Sequence, residues 1–194
     1  MEPIAARAEE SIWLENRLSV GPDEVQPVWQ IARRCQEPLR VELQTLARLS
    51  LEEHQRLARR YPNLFPRLHF AIGRLRDAVL THFENEQALL MPLLCSLEQG
   101  EPDAKRDLQQ LVPELTAEQD NILSMLMSIR AITAMHSGTR DSPMLGMLLF
   151  SLRRIDRNLR ALFALEDLAG RRSANDASLG ARRLQREPRR NRPS

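Results

Sequence analysis

The chain has 194 residues, 42% of them hydrophobic and 28% charged, with a formal net charge of +2; this suffices for one well-buried core and is short for two. No apolar run reaches the ~18 residues of a membrane span, and no basic-then-apolar leader opens the chain, so the expectation is a cytoplasmic protein without a membrane partner. Cys35 and Cys95 are far apart and in no Cys-x-x-Cys pattern, which argues against a disulfide framework or zinc knuckle and predicts two buried or half-buried thiols.

Apolar residues recur at spacings of three and four, with no alternating run, so the fold class is all-α. A short amphipathic helix is expected over about residues 3–18, ended by Ser19-Val20-Gly21-Pro22-Asp23, and residues 1–23 form a helix and linker. Trp13, Leu14 and Leu18 give that helix an apolar face, to dock on its own bundle or on another subunit. Longer helices are expected near 24–59, 67–98, 103–136 and 143–172, separated by Pro- and Gly-containing breaks. Short connections imply antiparallel neighbours, hence an up-down-up-down four-helix bundle over residues 24–172. Pro38 lies inside the first of these, where a lost hydrogen bond and a clash cost roughly 3 kcal/mol and predict a kink near 34–37. Residues 171–194 hold eight arginines against Asp176 and Glu187, a net of +6 that leaves −4 on residues 1–170. Residues 173–194 are therefore read as a disordered basic tail. Having no aromatic side chain to stack on bases, that tail offers nucleic acid nonspecific phosphate attraction only.

Within the second long helix, His82 and Glu86 stand four apart, which places an imidazole and a carboxylate on one face. Helical bundles build buried iron, manganese or zinc sites from such pairs when facing helices supply matching ligands. Glu84, two residues from Glu86, points elsewhere and reads as solvated. Methionines 125, 127, 135, 144 and 147 suggest adaptable packing between the last two helices. His69 and His136 read as structural, and the chain has no glycine-rich phosphate loop and no nucleophile elbow.

Four blocks then resemble the hemerythrin-like (HHE cation-binding) family, nearest its di-iron branch that repairs iron centres under nitrosative stress. They are Cys35-Gln36-Glu37-Pro38-Leu39-Arg40-Val41-Glu42-Leu43; His82 to Glu86 with Leu90-Met91-Pro92; Glu118-Gln119-Asp120 with Ser128-Ile129-Arg130-Ala131-Ile132-Thr133; and Leu162-Phe163-Ala164-Leu165-Glu166-Asp167. Together they cover about residues 26–174. The resemblance implies a four-helix bundle and a di-iron centre of several histidines bridged by two glutamates, which here are Glu86 and Glu166. Of the histidine positions only His82 is retained; Gln36, Gln119 and Leu162 stand at three others, and a fourth falls near Leu57 or Ala58, one helical turn from His54. The candidate metal residues are accordingly His82, Glu86, Glu166 and His54.

A carboxamide is a poor iron ligand and leucine is none, so the favoured expectation is a bundle without a metal cofactor, serving as a noncatalytic binding or regulatory module for an unidentified protein partner or for self-association. In it, Gln36 and Gln119 hydrogen-bond Glu86 and Glu166, and Arg40, Arg130 or Arg160 supplies charge-assisted pairing. The alternative is a reduced site for iron, mononuclear or dinuclear, or zinc, which the resemblance would attach to iron-sulfur cluster repair or the nitric oxide and oxidative stress response.

Overall fold

The computed structural model describes residues 28–134 and 143–184, with side chains described as far as Asp167 in the last helix. The expected helix at 3–18, His136 with its loop, and residues 185–194 lie outside the described residues. The described part is all-α: α1 (Val28–Leu57), α2 (Phe65–Asn85), a π-helical turn (Glu86–Leu90), α3 (Met91–Glu98), α4 (Ala104–Ala134) and α5 (Pro143–Leu184). No described helix is long and apolar enough to cross a membrane.

The buried positions explain why these segments are helical and which faces meet. On α2 and its continuation they include the run Phe65, Leu68, Ile72, Leu75, Val79, His82 and Glu86, with Phe83 beside it; on α5 they include the run Leu145, Leu148, Leu152, Ile155, Leu159 and Leu162. Both runs alternate steps of three and four, the seam of helices packed side by side, and Glu166 is the next step on α5. On α1 the seam passes through Ala32, Gln36, Leu39, Leu43, Leu46, Ser50 and Glu53. Helix α1 packs against α2 and α5, and α4 against α2, α3 and α5. These seams are apolar almost throughout, as are the buried positions Ala104, Leu108, Leu111, Leu115, Ile122, Leu126 and Ile129 of α4. A polar level, with Gln36, His82 and Glu86 buried, interrupts them.

The segment α2–π turn–α3 is one unbroken rod, since Asn85, Glu86, Leu90 and Met91 all keep right-handed helical dihedrals. Its widened turn has a local cause. Pro92 has no N–H for the carbonyl of Ala88, and its ring crowds that carbonyl. The preceding amide, Met91 N–H, instead donates to the Glu86 carbonyl five residues back, which is the π pattern. Pro38 and Pro113 are accommodated inside α1 and α4, each of which continues as helix to either side.

Helix α5 corrects the expected tail. It runs to Leu184, so residues 173–184 are helical rather than part of a disordered arm. Ala174, Ala177 and Ala181 with Arg182, Arg183 and Leu184 are strong helix formers, which outweighs Gly180. Cys35 is buried, as expected, whereas Cys95 is exposed. Among the methionines, Met125 packs against the core, while Met127 and Met147 face solvent.

Between α3 and α4, Gly100 has φ +79°, a left-handed conformation that an L side chain resists. A Cβ placed there meets nothing within 4 Å, so the penalty is purely conformational. Gly100→Ala is expected to lower stability by about 1 kcal/mol, seen as a reduced urea midpoint at unchanged m; an unchanged midpoint would contradict this.

Candidate functional site

The polar level draws one side chain or more from each long helix. His82 on α2 is fully buried, edge-on to the Phe163 ring at 5.5 Å. Its Nδ1 lies 2.9 Å from Glu118 Oε2 on α4, and Asn85 Nδ2 donates to the other Glu118 oxygen at 2.6 Å. With Glu118 as acceptor, Nδ1 carries the hydrogen of the neutral ring and Nε2 is left as a lone-pair acceptor. That Nε2 is buried without a hydrogen-bond partner. It faces Glu86 Oε1 at 3.7 Å and Glu166 Oε2 at 4.0 Å.

Each of the two carboxyl groups is capped from outside by a carboxamide. Gln36 Nε2 donates to Glu86 Oε2 at 2.5 Å, and Gln119 Nε2 donates to Glu166 Oε2 at 2.9 Å. This is the pairing expected from the sequence. The expected arginine pairing is not found. Arg130 and Arg160 both bind Asp156, a buried residue ten positions, or about 15 Å of helix rise, before Glu166 on α5. The Arg40 guanidinium lies over the Phe83 ring at 5.3 Å.

Protons therefore take the role that arginines do not. Burial pushes the Glu86 carboxyl up to about 8, with the nearby Glu166 charge adding to the effect. Burial raises Glu166 as well, against the opposing pull of His82 and the glutamine amides. For His82, burial works downward, but Glu166, Glu86 and Glu118 outweigh it and hold its proton more tightly than usual. The carboxyl pair is thus one that resists bearing negative charge.

His82, Glu86 and Glu166 thus come together as sequence reasoning anticipated, offering three ligand atoms within 4.8 Å of one another. His54 does not join them. It lies on α1 eighteen residues beyond Gln36, about 27 Å along the helix axis, stacked on His69 at 5.4 Å and 16°. His69 in turn meets Ser50 Oγ at 3.0 Å, and its proton affinity is lowered by burial, then by His54 and Arg76. Glu118 is the residue whose role the sequence reading lacked. It falls on the three-and-four register of α4 between Leu115 and Ile122, yet that spacing alone does not mark it as the partner of a histidine 36 residues earlier.

A di-iron centre does not fit these residues. Leu162, at 0% exposure, puts carbon where the family pattern requires a ligand, and the amides of Gln36 and Gln119 already point N–H groups at the carboxylates. One cation fits better, although the separations of 3.7 and 4.0 Å exceed the roughly 3.0–3.4 Å between neighbouring ligands bound at ~2.1 Å around tetrahedral or octahedral metal.

A cavity of about 410 Å³ opens onto this level. Leu90, Met91, Leu94, Leu108, Val112 and Leu115 line it, with Gln36, Glu86, Gln119 and Glu166 at its polar end. The π turn brings Leu90 and Met91 into that wall. Comparison with protein-family models, curated proteins and solved structures yields no match to this chain.

Proposed function

We propose that the chain is a hemerythrin-like, up-down-up-down four-helix bundle that has exchanged its metal centre for a protonated hydrogen-bond network and acts as a noncatalytic binding module. The observation that carries this reading is the pair of bonds Gln36→Glu86 and Gln119→Glu166. Both glutamines stand where the family pattern has histidine, and both direct hydrogens at the oxygens that would otherwise bridge metal ions. Desolvated carboxyl groups neutralised by protons and amide donors need no metal to remain buried. The cavity beside them is of a size that holds small ligands.

A second reading has an observation of its own in the unpartnered Nε2 of His82, whose Nδ1 is anchored on Glu118 as metal-bound imidazoles commonly are on a carboxylate. In that reading His82, Glu86 and Glu166 hold one divalent cation, with Glu118 fixing the ring. Metal analysis of untagged protein from iron-supplemented cells separates the two. The expected result is well under one metal ion per chain with a fully helical spectrum. One tightly held ion per chain, lost in His82→Ala, would replace the first reading with the second.

A further inference from the structure

We infer that the cavity above Glu86 and Glu166 binds a small amphipathic primary amine, with its ammonium group on the buried acceptors and its apolar body along the walls of α3 and α4. The inference rests on the proposed metal-free binding role and names the ligand class for it.

The polar end of the cavity is short of donors. Gln36 spends its amide N–H on Glu86, and its Oε1 is buried with no partner. Glu166 Oε1 is likewise buried and unpartnered. Two acceptors without a donor are costly to bury, and a ligand that relieves them must bring hydrogens. A carboxylate or phosphate head would bring more acceptors. An ammonium brings three N–H groups and no lone pair to oxygens that accept, each a charge-assisted hydrogen bond from the donor's side.

The remainder of the cavity is apolar, and about 410 Å³ is near the small end of ligand cavities, which run from about 300 to 1,000 Å³. The body is therefore a short alkyl or arylalkyl group. At the rim Arg33 and Asp167 offer one charge of each sign, so the mouth does not repel a cation.

The test is calorimetric titration of n-octylammonium chloride into the full chain at pH 7, after EDTA treatment and desalting into an amine-free buffer. One saturable site is expected, with octanol at least about tenfold weaker and octanoate not binding, since charge-assisted hydrogen bonds carry the recognition. Glu166→Gln, which keeps the shape and puts an amide donor in place of one carboxyl oxygen, should weaken octylammonium about tenfold or more with unchanged helical content. Leu94→Trp, which fills the wall, should abolish binding; it also serves should Glu166→Gln fail to fold. No saturable site, equal binding of octanol, or full affinity in either folded variant would overturn the inference. The two readings fail separately: metal-free protein that ignores octylammonium loses the amine alone, whereas stripped protein that binds octylammonium but is purified with one metal ion per chain loses the metal-free role alone.

Discussion

Replacing Glu86 by glutamine is expected to reduce the pH dependence of stability of the metal-free chain between about pH 4.5 and 8. Glu86 holds its proton up to about 8 in the folded chain, against an ordinary value of 4.5. A raised folded value means full stability while both states are protonated, and progressive loss as pH rises through the window between the two values. Glu166 and His82, whose proton affinities are also raised, act in the same direction. At 1.36 kcal/mol per pH unit, the window for Glu86 corresponds to a loss of roughly 3–5 kcal/mol by pH 8. His69 acts oppositely, because its lowered affinity favours the unfolded state as pH falls below about 6.5. The clean comparison is therefore between pH 6.5 and 8. Urea unfolding of chelated protein should show wild type weakening across that interval and Glu86→Gln weakening distinctly less. Parallel profiles for the two proteins would refute the assignment.

The largest loss expected from a single apolar truncation near the site is at Phe83. Its ring is at 0% exposure, lies 6.2 Å from the His82 ring and carries the Arg40 guanidinium at 5.3 Å. Phe83→Ala combines lost burial with a residual cavity and should cost about 3–5 kcal/mol, of which the cation–π contact contributes ~0.5–1 kcal/mol. Phe83→Leu should cost clearly less, since most of the volume is retained. Denaturant midpoints report both, and a cost below ~1 kcal/mol for Phe83→Ala would mean that this level of the core is loosely packed.

The helices were legible in the sequence because their seams repeat at three and four over long stretches, and because Gly100, Pro66 and Pro143 punctuate them. The end of α5 was not, since Arg-rich composition suggested a solvated arm where alanine spacing sustains a helix through Leu184. At the centre, the union of His82, Glu86, Glu166, Gln36 and Gln119 was legible through the family resemblance, and the 82/86 pair through spacing alone. Assigning His54 to it failed on helix rise: a residue one turn from a register position still lies at the wrong height when that register runs up the bundle. The Glu118 anchor and the Arg130–Asp156–Arg160 cluster are contacts between distant segments, which local pattern does not encode. The sequence also carried no sign of the π turn beyond Pro92.

That turn makes the chain's architecture depend on a count of residues as well as on their kinds. An α-helix advances about 100° per residue, so shortening the stretch 87–90 by one position would swing every later side chain of the rod around by about that angle. His82, Glu86, Glu118 and Gln36 lie before it or on other helices, and would keep their places. Leu94, and with it the wall of the cavity, would turn away. A one-residue insertion or deletion can thus open or close access to the centre without changing any group within it, so that recruiting or losing a ligand is separable from maintaining the polar core.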